Sequence, residues 1–95
     1  MSSIISFGFE YKDQYQYVLI TVKESNGNPQ YRITVMNGEL ETLLYGYNLV
    51  NEVDGALELD DCNGHTEIWA LKKQIVEGLG QYTKKAVRQT SYSHQ

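Results

Sequence analysis

A chain of 95 residues is long enough for one domain with one core. Its 41% hydrophobic content, with eight tyrosines, two phenylalanines and one tryptophan, excludes a disordered chain. The net charge of −4 disfavours non-specific attachment to nucleic acid or anionic lipid, and the single cysteine, Cys62, excludes an internal disulfide framework.

From Ile5 to Tyr11, aromatic and aliphatic residues alternate with Ser6, Gly8 and Glu10, the period of a half-buried strand. Lys12-Asp13-Gln14 is a polar break. Tyr15 to Lys23 is the strongest strand, with Val18, Ile20 and Val22 on one face and Tyr15, Tyr17, Leu19 and Thr21 on the other. Apolar character on both faces implies a central strand, or one whose second face a further subunit covers. Ser25 to Pro29 is turn chemistry, after which Tyr31, Ile33 and Val35 resume period two.

Asn37-Gly38 is the best hairpin signal in the chain. The next segment, Glu39 to Tyr45, reads two ways. Leu40, Thr42 and Leu44 alternate as a strand, whereas Asn37 as a cap with Leu40, Leu43 and Leu44 makes a short helix. Strand is the preferred reading, because a strand followed by Asn-Gly is itself a pairing signal. Asp54-Gly55 marks a further turn, between strands at 48–53 and 56–60.

An amphipathic helix starts near Thr66. Ile68, Leu71, Ile75, Leu79 and Tyr82 form one stripe, and Trp69 and Val76 lie off it, widening the buried face or forming a second apolar patch. Gly78 and Gly80 weaken the far end, so one of them is expected to end or bend the helix. The expected organisation is a single domain over 1–82 and a polar, frayed tail over 83–95. The fold class is α+β: an antiparallel meander of four or five strands followed by one amphipathic helix packed on one sheet face.

Charge is segregated along the chain. Residues 33–71 carry eight acids and no Lys or Arg; residues 72–95 carry five bases and one acid, Glu77. Glu39, Glu41, Glu52, Asp54 and Glu58 therefore make a candidate acidic face for a protein partner. The cluster from Asp60 to His65 offers metal-ligating atoms, but an EF-hand fails on ligand count and zinc wants more than one cysteine. It reads better as a turn with a helix cap, with Asn63 or Thr66 accepting from free N–H groups. Cys62 with His65 or His94 lacks any nucleophile signature. No phosphate-binding glycine motif occurs, so neither cofactor nor metal nor catalytic residue is expected. The segment from Tyr17 to Glu24, then Tyr31-Arg32-Ile33, further strand and a final helix, resembles a PUR-type repeat. That resemblance implies a four-stranded sheet plus helix that dimerises and binds single-stranded nucleic acid.

The expected function is a small, non-enzymatic protein-interaction or regulatory module, homodimeric through Tyr17, Leu19, Trp69 and Val76. Two alternatives are a PUR-like single-strand binder and a small-molecule binder or enzyme with a pocket between helix and sheet. The lone cysteine, the missing basic leader and the lack of any long apolar run point to a cytoplasmic protein without membrane contact.

Overall fold

The computed structural model describes residues 3–90. It is an α+β fold with one curled six-stranded sheet. The elements are β1 Ser3–Tyr11, β2 Gln14–Ser25, β3 Asn28–Val35, α1 Gly38–Leu43, β4 Leu49–Val53, β5 Ala56–Leu59, a short 3-10 turn Cys62–Gly64, α2 Thr66–Thr83 and β6 Ala86–Gln89. The strands lie in chain order, β1 to β5 antiparallel and β6 parallel to β5.

Three tight hairpins set the registers. Each turn places two residues at positive φ: Lys12 and Asp13, Asn26 and Gly27, Asp54 and Gly55. Paired left-handed residues match the right-handed twist of the strands they join. Asn37-Gly38, the strongest such signal in the sequence, is not a hairpin. Asn37 stays extended at φ −158°, and its side chain accepts from the N–H groups of Glu39 and Leu40, both at 3.1 Å. The preferred strand reading of 39–45 is thus corrected to helix α1. A cap oxygen satisfies two free donors at once, and Glu39 and Glu41 complement the positive helix end. Leu44, just past α1, is fully buried, so the helix also fits the core.

The count of four or five strands is corrected to six. The sixth lies within the expected polar tail, where Ala86, Val87, Arg88 and Gln89 pair with Ala56, Leu57, Glu58 and Leu59. Residues 91–95, the rest of that tail, lie outside the described residues. Strand β6 has no buried side chain, hence no hydrophobic period to read. Its holding contacts are polar. The Thr90 N–H donates to the Leu59 carbonyl at 2.8 Å, and Arg88 reaches both Glu58, at 3.7 Å, and the Val53 carbonyl, at 3.1 Å.

Buried side chains from both kinds of element form one cluster. Val18, Ile20, Ile33 and Val35 of the sheet join Leu71, Ile75, Val76 and Leu79 of α2. Complete burial of such side chains stabilises by about 1.5–3 kcal/mol each. The helical stripe holds at Leu71, Ile75 and Leu79 but not at Tyr82, which is exposed and stacks on Phe7. Neither Gly78 nor Gly80 ends the helix. It runs to Thr83 and closes with Lys84 in the left-handed region. These glycines serve close approach. A Cβ on Gly78 would lie 2.6 Å from the Phe7 ring, and one on Gly80 would lie 2.9 Å from the Lys85 carbonyl oxygen. Removing two side chains lets the helix meet β1 and the chain entering β6.

Candidate functional site

Strand alternation divides the long strands cleanly. Val18 and Ile20 turn into the core, so Tyr15, Tyr17, Leu19 and Thr21 turn away from it. Tyr17 is 58% exposed and Leu19 38%. Register extends this surface across three strands. Leu19 lies opposite Ser6 of β1 and Thr34 of β3; Thr21 lies opposite Ile4 and Arg32; Arg32 lies opposite Leu49 of β4. Ile4, Tyr15, Met36 and Leu49 are all exposed large side chains. The Tyr15 and Tyr17 rings meet edge to face at 5.3 Å. Tyr15 lies across Gly8, where a Cβ would come within 2.5 Å of its ring and hydroxyl atoms. The result is a broad sheet face with aromatic and aliphatic groups at its centre.

The four expected interface residues do not share one surface. Tyr17 and Leu19 are on this exposed face. Trp69 is half-buried against the core cluster, with the Lys73 ammonium 5.9 Å from its ring centroid. Val76 has no exposed area and is a core residue. Assigning Val76 to an interface is therefore corrected. The buried arc of α2 is wider than a single stripe, since Ile75 and Val76 are both enclosed.

The cationic groups on the exposed face are Lys23 and Arg32. Lys23 lies two alternations beyond Leu19, and Arg32 is opposite Thr21. Tyr31 is not with them. It faces inward, where its hydroxyl donates to Glu52 Oε1 at 2.6 Å. Lys12 lies in the β1–β2 turn and pairs with Glu67 at 3.2 Å.

The expected acidic face is broken up by pairing. Glu52 is buried and also meets Lys85 at 3.2 Å, so it is corrected from a partner contact to an internal group. Glu58 faces Arg88, and Glu41 Oε1 accepts from the Val35 N–H at 2.7 Å. Glu39 and Asp54 remain exposed, on α1 and on the β4–β5 turn. Folding brings the basic C-terminal segment onto the acidic middle: Lys72 to Asp60, Lys85 to Glu52 and Arg88 to Glu58. Much of the charge segregation in the sequence is internal complementarity.

The Asp60–His65 segment is a structural corner. Asp61 caps the 3-10 turn by accepting from the Asn63 N–H at 3.1 Å, whereas the expected cap of α2 by Asn63 or Thr66 is not made. His65 precedes α2 without a side-chain cap bond, its ring 5.9 Å from that of Tyr47. Cys62 is fully buried, its sulfur 3.6 Å from Asp60 Oδ1. Burial pushes its thiol up to about 11; nearby Lys72 opposes this and Asp60 adds to it. Such a thiol stays protonated at neutral pH and is a poor nucleophile. Sequence reading missed Lys72, which is 4% exposed, with its ammonium 3.3 Å from Asp60 Oδ1. The available signal was its place one turn after Ile68 and one before Val76, on the apolar side of α2.

Among the described residues no helix is long and apolar enough to cross a membrane. No protein-family model, curated protein or solved structure matches the chain.

Proposed function

We propose that this protein is a non-enzymatic interaction module that self-associates through the exposed face of β1, β2 and β3. The observation that carries this reading is the cluster of Tyr15, Tyr17 and Leu19 with Ile4 and Met36, all solvent-exposed on one side of the sheet. Helix α2 contributes its apolar arc to the core cluster on the other side. A second copy supplies the cover that one helix does not. Aromatic and aliphatic anchors at the centre with polar neighbours at the edge suit a protein interface. A two-fold axis near Leu19 would pair this patch with itself and keep Glu39 and Asp54 at a distance. Sedimentation equilibrium is the direct test. A dimer at concentrations of about 100 µM supports the reading, and a monomer there puts association weaker than ~10⁻⁴ M and removes it.

A second reading rests on Lys23 and Arg32 sharing this face with Tyr15 and Tyr17. Cations beside stackable rings are the elements of single-strand binding, although six strands with α1 between β3 and β4 depart from the four-stranded PUR-type order. Fluorescence anisotropy with an unstructured oligonucleotide separates the two. Nucleic-acid binding falls steeply with salt, whereas apolar self-association does not.

A further inference from the structure

The β1–β2 turn and the first turn of α2 meet over an unusual gap. Lys12 Nζ lies 3.2 Å from Glu67 Oε2 and 5.4 Å from the centre of the Tyr11 ring. The Tyr11 hydroxyl is itself buried and has no hydrogen-bond partner among the described residues. On one side of the Lys12–Glu67 pair is a cleft of about 410 Å³, bordered by Gln14, Gln16, Asn37 and Glu39. On the other is a shallower recess bordered by Glu10, Asp13 and Gln74. Both are bounded by Tyr11, Lys12 and Glu67, so the ion pair stands on the wall that the two parts of this depression share.

The charges around this depression are unbalanced. Glu10, Asp13, Glu39 and Glu67 face a single cation, Lys12. Its wall presents amide oxygens as well. Gln14 Oε1 accepts from Gln16 and Gln16 Oε1 from Asn37, both at 3.3 Å. Each carbonyl oxygen retains a second lone pair for a further donor.

We propose that this depression binds a guanidinium group, that of an arginine, which displaces Lys12 from Glu67. Lys12 is the chain's own stand-in for the ligand. It already sets a cation against a carboxylate and an aromatic ring. A guanidinium makes both contacts better, because its planar fork matches a carboxylate with two donors and its face stacks on a phenol. Its remaining N–H groups suit the Tyr11 hydroxyl oxygen and the glutamine amide oxygens. The Lys12–Glu67 pair is solvent-exposed at both ends, and such pairs are weak and readily exchanged. Moving Lys12 aside joins the two recesses and gives the Tyr11 hydroxyl a partner.

The test is titration of the ¹⁵N-labelled protein with N-acetyl-L-arginine amide, free L-arginine and N-acetyl-L-citrulline amide. Citrulline keeps the shape and removes the charge. The arginine amide should move the amide signals of Tyr11, Lys12, Gln16 and Glu67 saturably, with Kd on the order of 1 mM. Citrulline amide should not. Tighter binding of the blocked amide than of free arginine identifies a residue in a partner chain as the source; the reverse identifies the free amino acid. Lys12→Ala removes the competitor and should tighten binding about fivefold. Glu67→Gln should weaken it about tenfold or more. Tyr11→Phe should weaken arginine binding without lowering the urea midpoint of the protein, a pairing that a purely structural hydroxyl does not produce. Equal shifts with citrulline, unchanged affinity in Lys12→Ala, or no saturable shift in either protein would overturn the proposal.

Discussion

The Tyr31 hydroxyl donates to Glu52 at 2.6 Å inside the sheet, and Lys85 closes the other carboxylate oxygen at 3.2 Å. Neutral donor, anion and cation come from β3, β4 and the residue before β6, so one carboxylate ties the meander to the strand added after α2. A buried carboxylate is tolerated only with such partners. Tyr31→Phe keeps the ring and removes the donor. It should destabilise the protein by about 1–3 kcal/mol in urea melts. A loss within error of zero would show that Lys85 alone satisfies Glu52.

The first three strands and α2 were legible because their signals agree: period-two aromatics, left-handed turn residues, and apolar spacings of three and four. Strand β6 was not legible. Ala86 to Gln89 is exposed throughout, and its position rests on backbone pairing and on acids some 30 residues earlier. Helix α1 was hidden because Asn-Gly serves both as a hairpin turn and as a cap; the choice was made by Leu44 reaching the core. Of the candidate site, Tyr17 and Leu19 were readable from alternation alone. Val76 was misplaced because at 100° per residue it lies beside the stripe, and only the depth of α2 in the fold decides which neighbours are enclosed. The depression at Lys12 was invisible, since its two sides are 55 residues apart in the chain.

Gly80 sets helix propensity against packing. In an exposed helix, Gly→Ala gains up to ~1 kcal/mol. Here the new Cβ would meet the Lys85 carbonyl oxygen at 2.9 Å and a Val87 methyl at 3.1 Å. The backbone oxygen cannot rotate aside, so Gly80→Ala should cost about 1–3 kcal/mol net. Increased stability in thermal or urea unfolding would mean that β6 yields freely.

Leu71→Ala and Ile75→Ala each empty a fully buried position and should cost about 2–5 kcal/mol. Glu77 is exposed and its partner is Lys73, one turn earlier. Glu77→Ala should change stability by no more than about 0.5 kcal/mol. Equal small losses in all three variants would contradict the core described for α2.

Alkaline pH should loosen the fold before most lysines titrate. Burial raises the Tyr31 phenol above its usual value, with the Glu52 hydrogen bond adding to it, and burial raises the Cys62 thiol to about 11. In both groups the folded state favours the protonated form. Their contribution is fully present below the unfolded thiol and phenol values, roughly 9 to 10, and is lost as pH rises through the higher folded ones. Urea midpoints should therefore be level from pH 7 to about 8.5 and fall above it. Cys62→Ala should remove the part of that fall near pH 9–10. A midpoint rising over the same range would reverse the assigned sign.

Self-association should respond to charge on one face and not on the other. Leu19 is at the centre of the exposed sheet surface, between Ser6 and Thr34 in the register. Leu19→Glu places an unpaired charge at the middle of the proposed contact, twice over in a two-fold dimer. Desolvating it without a partner costs several kcal/mol, enough to take a micromolar dimer to monomer at ordinary concentrations, since ~1.4 kcal/mol is a tenfold change. Glu41 is on α1 and is held by the Val35 N–H, so Glu41→Lys should leave the dimer intact even if it lowers stability. Trp69→Glu should act differently from both, because Trp69 packs on the core: its main effect should be a lower urea midpoint. Sedimentation equilibrium and urea melts on the three variants decide the case. Dissociation by Leu19→Glu alone, with an unchanged fold, places the contact on β2. Dissociation by Glu41→Lys and not by Leu19→Glu would move it to α1 and end the proposal for the sheet face.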